Sequence, residues 1–166
     1  MKTAPKKSKI LFFVLPIIAI GIVCCIFFAR HITPTASQKF RLDAEYYNQE
    51  QGSLQSITAK EFAQLLADKK SFVVIAHMVL CPAEAPLTTT AEQFVDDQKL
   101  RFYDITETEF DQTALHDTVK YLPTAAIYRD GKLGAWLDAE SDADLPAYKT
   151  AADFERWLSS YIQLSY

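Results

Sequence analysis

Two kinds of apolar pattern alternate along this chain: runs that are apolar throughout, and stretches whose apolar residues recur at a fixed spacing. Ile10 to Ala29 is the longest run, 20 residues without a charge. A helix of that length rises about 30 Å, the thickness of a bilayer's hydrocarbon core. Pro16 and Gly21 are tolerated in such a helix. Phe72 to Val79 is apolar on a shorter scale and predicts a central strand buried on both faces. Leu54 to Ile57 predicts a short edge strand and Leu100 to Ile105 another strand. Ala125 to Arg129 and Leu133 to Leu137 read as a hairpin around Asp130-Gly131, a pair that accepts the positive φ of a tight turn.

Helical spacing fills the gaps. Thr58-Ala-Lys-Glu61 reads as a capping box, which satisfies two orphan amides at a helix start. Phe62, Leu65 and Leu66 follow at helical intervals, and Lys69 and Lys70 suit the negative end of the helix dipole. Pro82 to Asp97 and Glu107 to Val119 predict two further helices. Thr150 opens a last one, with Phe154, Trp157, Leu158, Tyr161 and Ile162 on one stripe. The order is β-α-β-α-β-α-β-β-α. The chain divides into an N-terminal segment (1–9), an apolar span (10–29), a polar tether (30–53) and a globular domain (54–166), with Phe40, Leu42, Tyr46 and Tyr47 of the tether able to pack back onto the domain.

Charge orients the span. Lys2, Lys6, Lys7 and Lys9 precede it and only Arg30 and His31 follow it closely, so the N-terminus is expected in the cytoplasm and the domain outside the cell membrane, as a single-pass protein. The competing reading is a cleaved signal peptide, whose apolar stretch is normally about 7–15 residues with a small-residue site behind it. Phe27-Phe28-Ala29-Arg30 is a poor such site, although Thr33 to Ser37 are small. Val23 stands where a lipid-anchor motif at Cys24 needs a small residue. Five of the 17 basic residues flank the span, leaving 12 against all 21 acids beyond it, a net of −9. That balance argues against nucleic acid or an anionic surface as a partner.

Cys24 and Cys25 lie within the span, so Cys81 is the one cysteine of the outer part and no disulfide can close within it. One cysteine and scattered histidines make no zinc site. The acidic stretch Asp138-Ala-Glu-Ser-Asp-Ala-Asp144 lacks the glycine and terminal glutamate of a calcium loop. Leu87-Thr88-Thr89-Thr90 has hydroxyls without a base or a nucleophile elbow. No metal or other cofactor is expected.

The strand Phe72-Val-Val-Ile-Ala-His-Met-Val79 runs into Leu80-Cys81-Pro82-Ala83-Glu84, and Tyr121-Leu122-Pro123-Thr124 leads into the next apolar strand about 40 residues later. With the element order, these residues resemble the thioredoxin superfamily over residues 54–164. The resemblance implies an α/β, three-layer fold with a central mixed sheet, here behind one transmembrane helix. It also implies a cis bond before Pro123, which would lie beside Cys81; a trans proline opening a strand is the plainer alternative. In that family the first cysteine attacks a substrate disulfide from a helix N-terminus, and a second cysteine three residues on resolves the mixed disulfide. Cys81 and Pro82 match the first two positions. Glu84 stands at the resolving one, where its carboxylate, one turn along, disfavours a thiolate. Leu80 stands where an active-site tryptophan is usual, and Ile75 where a buried acid often is.

The motif is therefore degenerate. What the resemblance still implies is partner binding in the groove of Cys81, Pro82, Glu84, Leu122, Pro123 and Thr124, because the backbone before the proline pairs with an extended peptide by strand addition. Two alternatives stay open. One is a monothiol oxidoreductase acting through Cys81. The other is a structural subunit in which Cys81 is a small buried hydrophobe. His77 could pair with Cys81 to make a reactive thiolate, or it could be a half-buried histidine with a backbone partner, since no third orienting group is evident. His116, beside Asp117, reads as surface.

An uncleaved anchor makes a direct expectation. Protease applied from outside should leave a short N-terminal fragment in the membrane fraction, and a mature form beginning near Ser37 in the medium would count against it.

Overall fold

The computed structural model describes residues 39–78 and 86–165. Its elements are β1 (Ser53–Ser56), α1 (Ala59–Ala67), β2 (Phe72–His77), α2 (Pro86–Gln98), β3 (Arg101–Thr106), α3 (Glu107–Phe110), β4 (Thr124–Arg129), β5 (Lys132–Trp136) and α4 (Ala151–Leu158), with single 3₁₀ turns at Ala44–Tyr46 and Leu145–Tyr148. The five strands form one sheet in the order β1-β3-β2-β4-β5. β3 pairs in parallel with both β1 and β2. β4 runs antiparallel to β2, with Ala76 opposite Thr124, and β5 antiparallel to β4. The result is a mixed α/β sheet with helices on both faces. Among the described residues no helix is long and apolar enough to cross a membrane, and the expected span 10–29 lies outside them.

β2 explains the layering. Phe72 to Ala76 are all buried, so both faces of the strand need cover. On one face α1 sends Phe62 to within 6.0 Å of the Phe72 ring and 5.4 Å of Tyr128, and Phe72 stacks on Tyr128 at 4.9 Å. On the other, Phe94 of α2 meets Phe102 of β3 and Phe154 of α4. Edge-to-face aromatic pairs of this kind add to the burial of their own surface. The capping box at Thr58 forms as the sequence suggests: Glu61 N donates to Thr58 Oγ1 at 3.3 Å and Thr58 N to Glu61 Oε2 at 2.8 Å. Asp130 (φ 52°) and Gly131 (φ 73°) make the hairpin turn, and a Cβ on Gly131 would run into the Leu66 carbonyl.

Two helices depart from expectation, and the apolar residues of the tether pack back onto the domain as their pattern allows. The third helix, expected over 107–119, stops at Phe110. Thr113 there turns its hydroxyl back to the Phe110 carbonyl and accepts from Leu115 N, which offers the backbone an alternative to helix. Phe110, Leu115 and Val119 are buried regardless. The last helix ends at Leu158, and Ile162 bridges to Phe40 instead of completing the stripe. Residues 40–49 are part of the packed body: Leu42, Tyr46 and Tyr47 are buried, and the Tyr46 and Tyr103 hydroxyls lie 3.1 Å apart.

Phe154 is fully buried where α4 packs against Phe94 of α2. Phe154→Ala is expected to cost about 3–5 kcal/mol, read as a fall in the denaturant midpoint. Thr58→Ala, which removes only a cap, should cost about 1 kcal/mol.

Candidate functional site at the C-terminal edge of the parallel strands

β1, β3 and β2 run the same way and end together at Ser56, Thr106 and His77. In open α/β sheets the carboxyl ends of the strands are the usual place for a ligand. The antiparallel β4 begins at the same edge. The β2–β4 ladder ends at the Ala76–Thr124 pair, next in sequence to His77 and Pro123. The Leu122–Pro123 bond is cis, as the resemblance implies. Leu122 is half-buried against the core, Thr124 is fully buried with its hydroxyl donating to the Leu137 carbonyl at 2.8 Å, and Tyr121 stands 48% exposed just before them. The Glu140 carboxylate beside Tyr121 holds its hydroxyl pKa above the ordinary value.

The sheet register places Ser56 opposite Asp104 and Asp104 opposite Ile75, so Ser56, Asp104 and His77 share one face at this edge. Asp104 is buried. Its two carboxylate oxygens accept from Ser56 Oγ at 2.9 and 3.0 Å, and its Oδ2 lies 3.2 Å from His77 Nε2. The other ring nitrogen of His77, Nδ1, lies 3.4 Å from the Met78 carbonyl oxygen. His77 therefore does have an orienting group, which the sequence reading lacked. The hydrogen bond to Asp104 raises the His77 pKa above 6.5, against a smaller opposing effect of burial, with further support from the Met78 carbonyl and the charge of Glu92 on α2. Asp104 and Ser56 were not singled out from sequence. The available signal was a lone carboxylate inside a strand otherwise apolar from Phe102 to Ile105.

Of the expected site residues, Leu122, Pro123 and Thr124 are brought together at this edge, while Cys81, Pro82 and Glu84 lie outside the described residues. His116 is more than half exposed and 3.9 Å from Asp111, a surface pair. In the acidic loop, Asp138 and Asp144 spend carboxylate oxygens on the loop's own backbone: Glu140 N donates to Asp138 and Asp138 N to Asp144. Among the described residues no three His, Cys, Asp or Glu side chains converge as metal ligands.

A raised His77 pKa has a fixed sign in stability. The protonated ring's bonds contribute fully below 6.5, the pKa of the unfolded chain, and are lost as pH rises through the higher folded value. Denaturant titrations of the full chain should show stability falling above pH 6.5 by this contribution, with the fall absent in His77→Gln.

No protein-family model matches the chain, and no curated protein sequence matches it. Solved structures with a similar path include thioredoxins. That of Malassezia sympodialis has a TM-score of 0.48 at 15% identity, over 70% of this chain and 96% of that one. The oxidised thioredoxin of Plasmodium falciparum has 0.49 at 14%, over 67% and 100%. The thioredoxin of Trypanosoma brucei brucei has 0.41 at 18%, over 58% and 83%. On its own strand order, with two parallel pairs, an antiparallel hairpin and a cis-proline opening β4, the chain has a mixed-sheet, thioredoxin-like α/β fold.

Proposed function

We propose that the chain is a membrane-tethered, extracytoplasmic thioredoxin-like protein with a degenerate dithiol motif, and that it binds an extended segment of a protein or peptide partner. The observation that carries this reading is the place of Leu122 and Pro123. They lead into β4 at the carboxyl edge of the parallel strands, where Thr124 pairs with Ala76, and the exposed Tyr121 precedes them. An extended segment can add to such backbone through main-chain hydrogen bonds, and neighbouring apolar groups then select its side chains. This use needs no second thiol, which suits Glu84 at the resolving position. The uncharged run Ile10 to Ala29 supplies the tether, and the lysines before it put the domain outside. A protein of this kind would serve as an accessory in envelope, secretion or redox processes.

One observation favours a second reading, a monothiol oxidoreductase acting through Cys81. His77 precedes Cys81 by four residues and is oriented by Asp104. A cationic imidazole near a thiol favours the thiolate. Cys81 would then form a mixed disulfide that a small thiol resolves.

A photo-cross-linking residue at Tyr121, with one at Lys132 on the far end of the β4–β5 hairpin as control, separates these readings. In membranes of cells that make the protein, position 121 should yield a discrete adduct and position 132 none, and Cys81→Ser should leave the adduct intact. Absence of an adduct from 121 overturns the docking reading. An adduct that disappears in Cys81→Ser promotes the monothiol reading instead.

A further inference from the structure

Both ring nitrogens of His77 face oxygen acceptors: Nε2 the Asp104 carboxylate at 3.2 Å, and Nδ1 the Met78 carbonyl at 3.4 Å. A neutral imidazole carries one N–H and one lone pair, and only the cation has two donors. The surroundings are therefore built for the protonated ring. We propose that His77 is a proton-operated clasp on the docking edge: as the cation it ties Asp104 to the Met78 carbonyl and holds the end of β2 in place against the start of β4, and as the neutral ring it releases that end.

The anchored side of the clasp is Asp104. Ser56 reaches both of its carboxylate oxygens. Its strand is paired on both sides, opposite Ser56 of β1 and Ile75 of β2. The side able to yield is the end of β2, where pairing to β4 runs out at Ala76–Thr124. Loss of the proton leaves the remaining N–H on the stronger acceptor, the carboxylate, and turns a lone pair toward the Met78 oxygen. An attractive contact becomes a repulsive one at the strand terminus.

The charged groups acting on the ring are Asp104 from β3 and Glu92 from α2, both acidic and both favouring the proton. β1 contributes Ser56, and β4 contributes Pro123 and Thr124 at this edge, none of which titrates in the relevant range. Among the described residues, only burial opposes the charge. The clasp is thus closed below the His77 midpoint, which lies above 6.5, and opens as pH rises through it. As a regulator it rests on the docking reading: a partner strand laid against Leu122 would be held below the His77 midpoint and freed above it.

The test uses the full chain and needs no partner. The imidazole of His77 is titrated by NMR, with His31 and His116 told apart from it by the His77→Gln variant. Amide hydrogen exchange is followed over residues 72–78 and 122–129 at the same pH values, corrected for the intrinsic rate. The expected result is a midpoint above 6.5, with a fall in protection of both segments at that midpoint. Asp104→Asn should lower the midpoint by about one unit or more and carry the fall in protection with it, and Asp104→Glu should restore part of the shift. Should Asp104→Asn fail to fold, Ser56→Ala, which loosens the carboxylate, should move both readouts in the same direction by less. A midpoint at or below 6.5, or protection that does not follow the His77 titration, overturns the proposal. A clasp that titrates as expected, with no adduct from position 121, leaves the switch standing and removes the docking reading.

Discussion

The burial of β2 on both faces is the constraint from which the rest of the structure follows. Five consecutive buried residues, Phe72 to Ala76, leave no face of that strand for water. A strand in that position must be flanked by other strands, so its amide and carbonyl groups are paired, and covered above and below by helices. β3 and β4 flank it. α1 covers one face through Phe62, and α2 and α4 cover the other through Phe94 and Phe154. The 3₁₀ turn at Ala44–Tyr46 and the Phe40–Ile162 bridge close the remaining apolar margins.

The same arrangement creates the edge where function is proposed. Parallel strands need crossovers, so β1, β3 and β2 all end on one side. Three polar side chains fall there on one face, and the buried Asp104 carboxylate becomes tolerable because Ser56 and His77 both bond to it. β4 starts at this edge only because it runs against β2. That reversal starts β4 opposite Ala76, so that Pro123 and Leu122 lead into it at the same edge. The ionisable cluster and the edge proposed to dock a partner thus share one boundary of the sheet, which is the ground for proposing that a proton on one governs the other.

Legibility from the sequence followed the range of the forces involved. The capping box at Thr58, the Asp130-Gly131 turn and the continuous apolar strand at Phe72 are local patterns, and each appears where the residues place it. The helix after β3 was overextended because periodicity alone does not register Thr113 turning back on the Phe110 carbonyl. The stripe of the last helix was overextended because Ile162 finds a better partner in Phe40, more than 120 residues away in the chain.

The sequence by itself determined the order of the elements along the chain, the reversal at the hairpin, the absence of a second cysteine at position 84 and the long uncharged run at the N-terminus. These depend on residue identity and short-range spacing, which one chain displays completely. Only the tertiary structure decided that His77 has a carboxylate partner. Asp104 is 27 residues away in sequence and Ser56 lies 48 residues before Asp104. No periodicity relates the three. Their meeting is a consequence of strand register, which the sheet as a whole sets through the burial of its apolar faces.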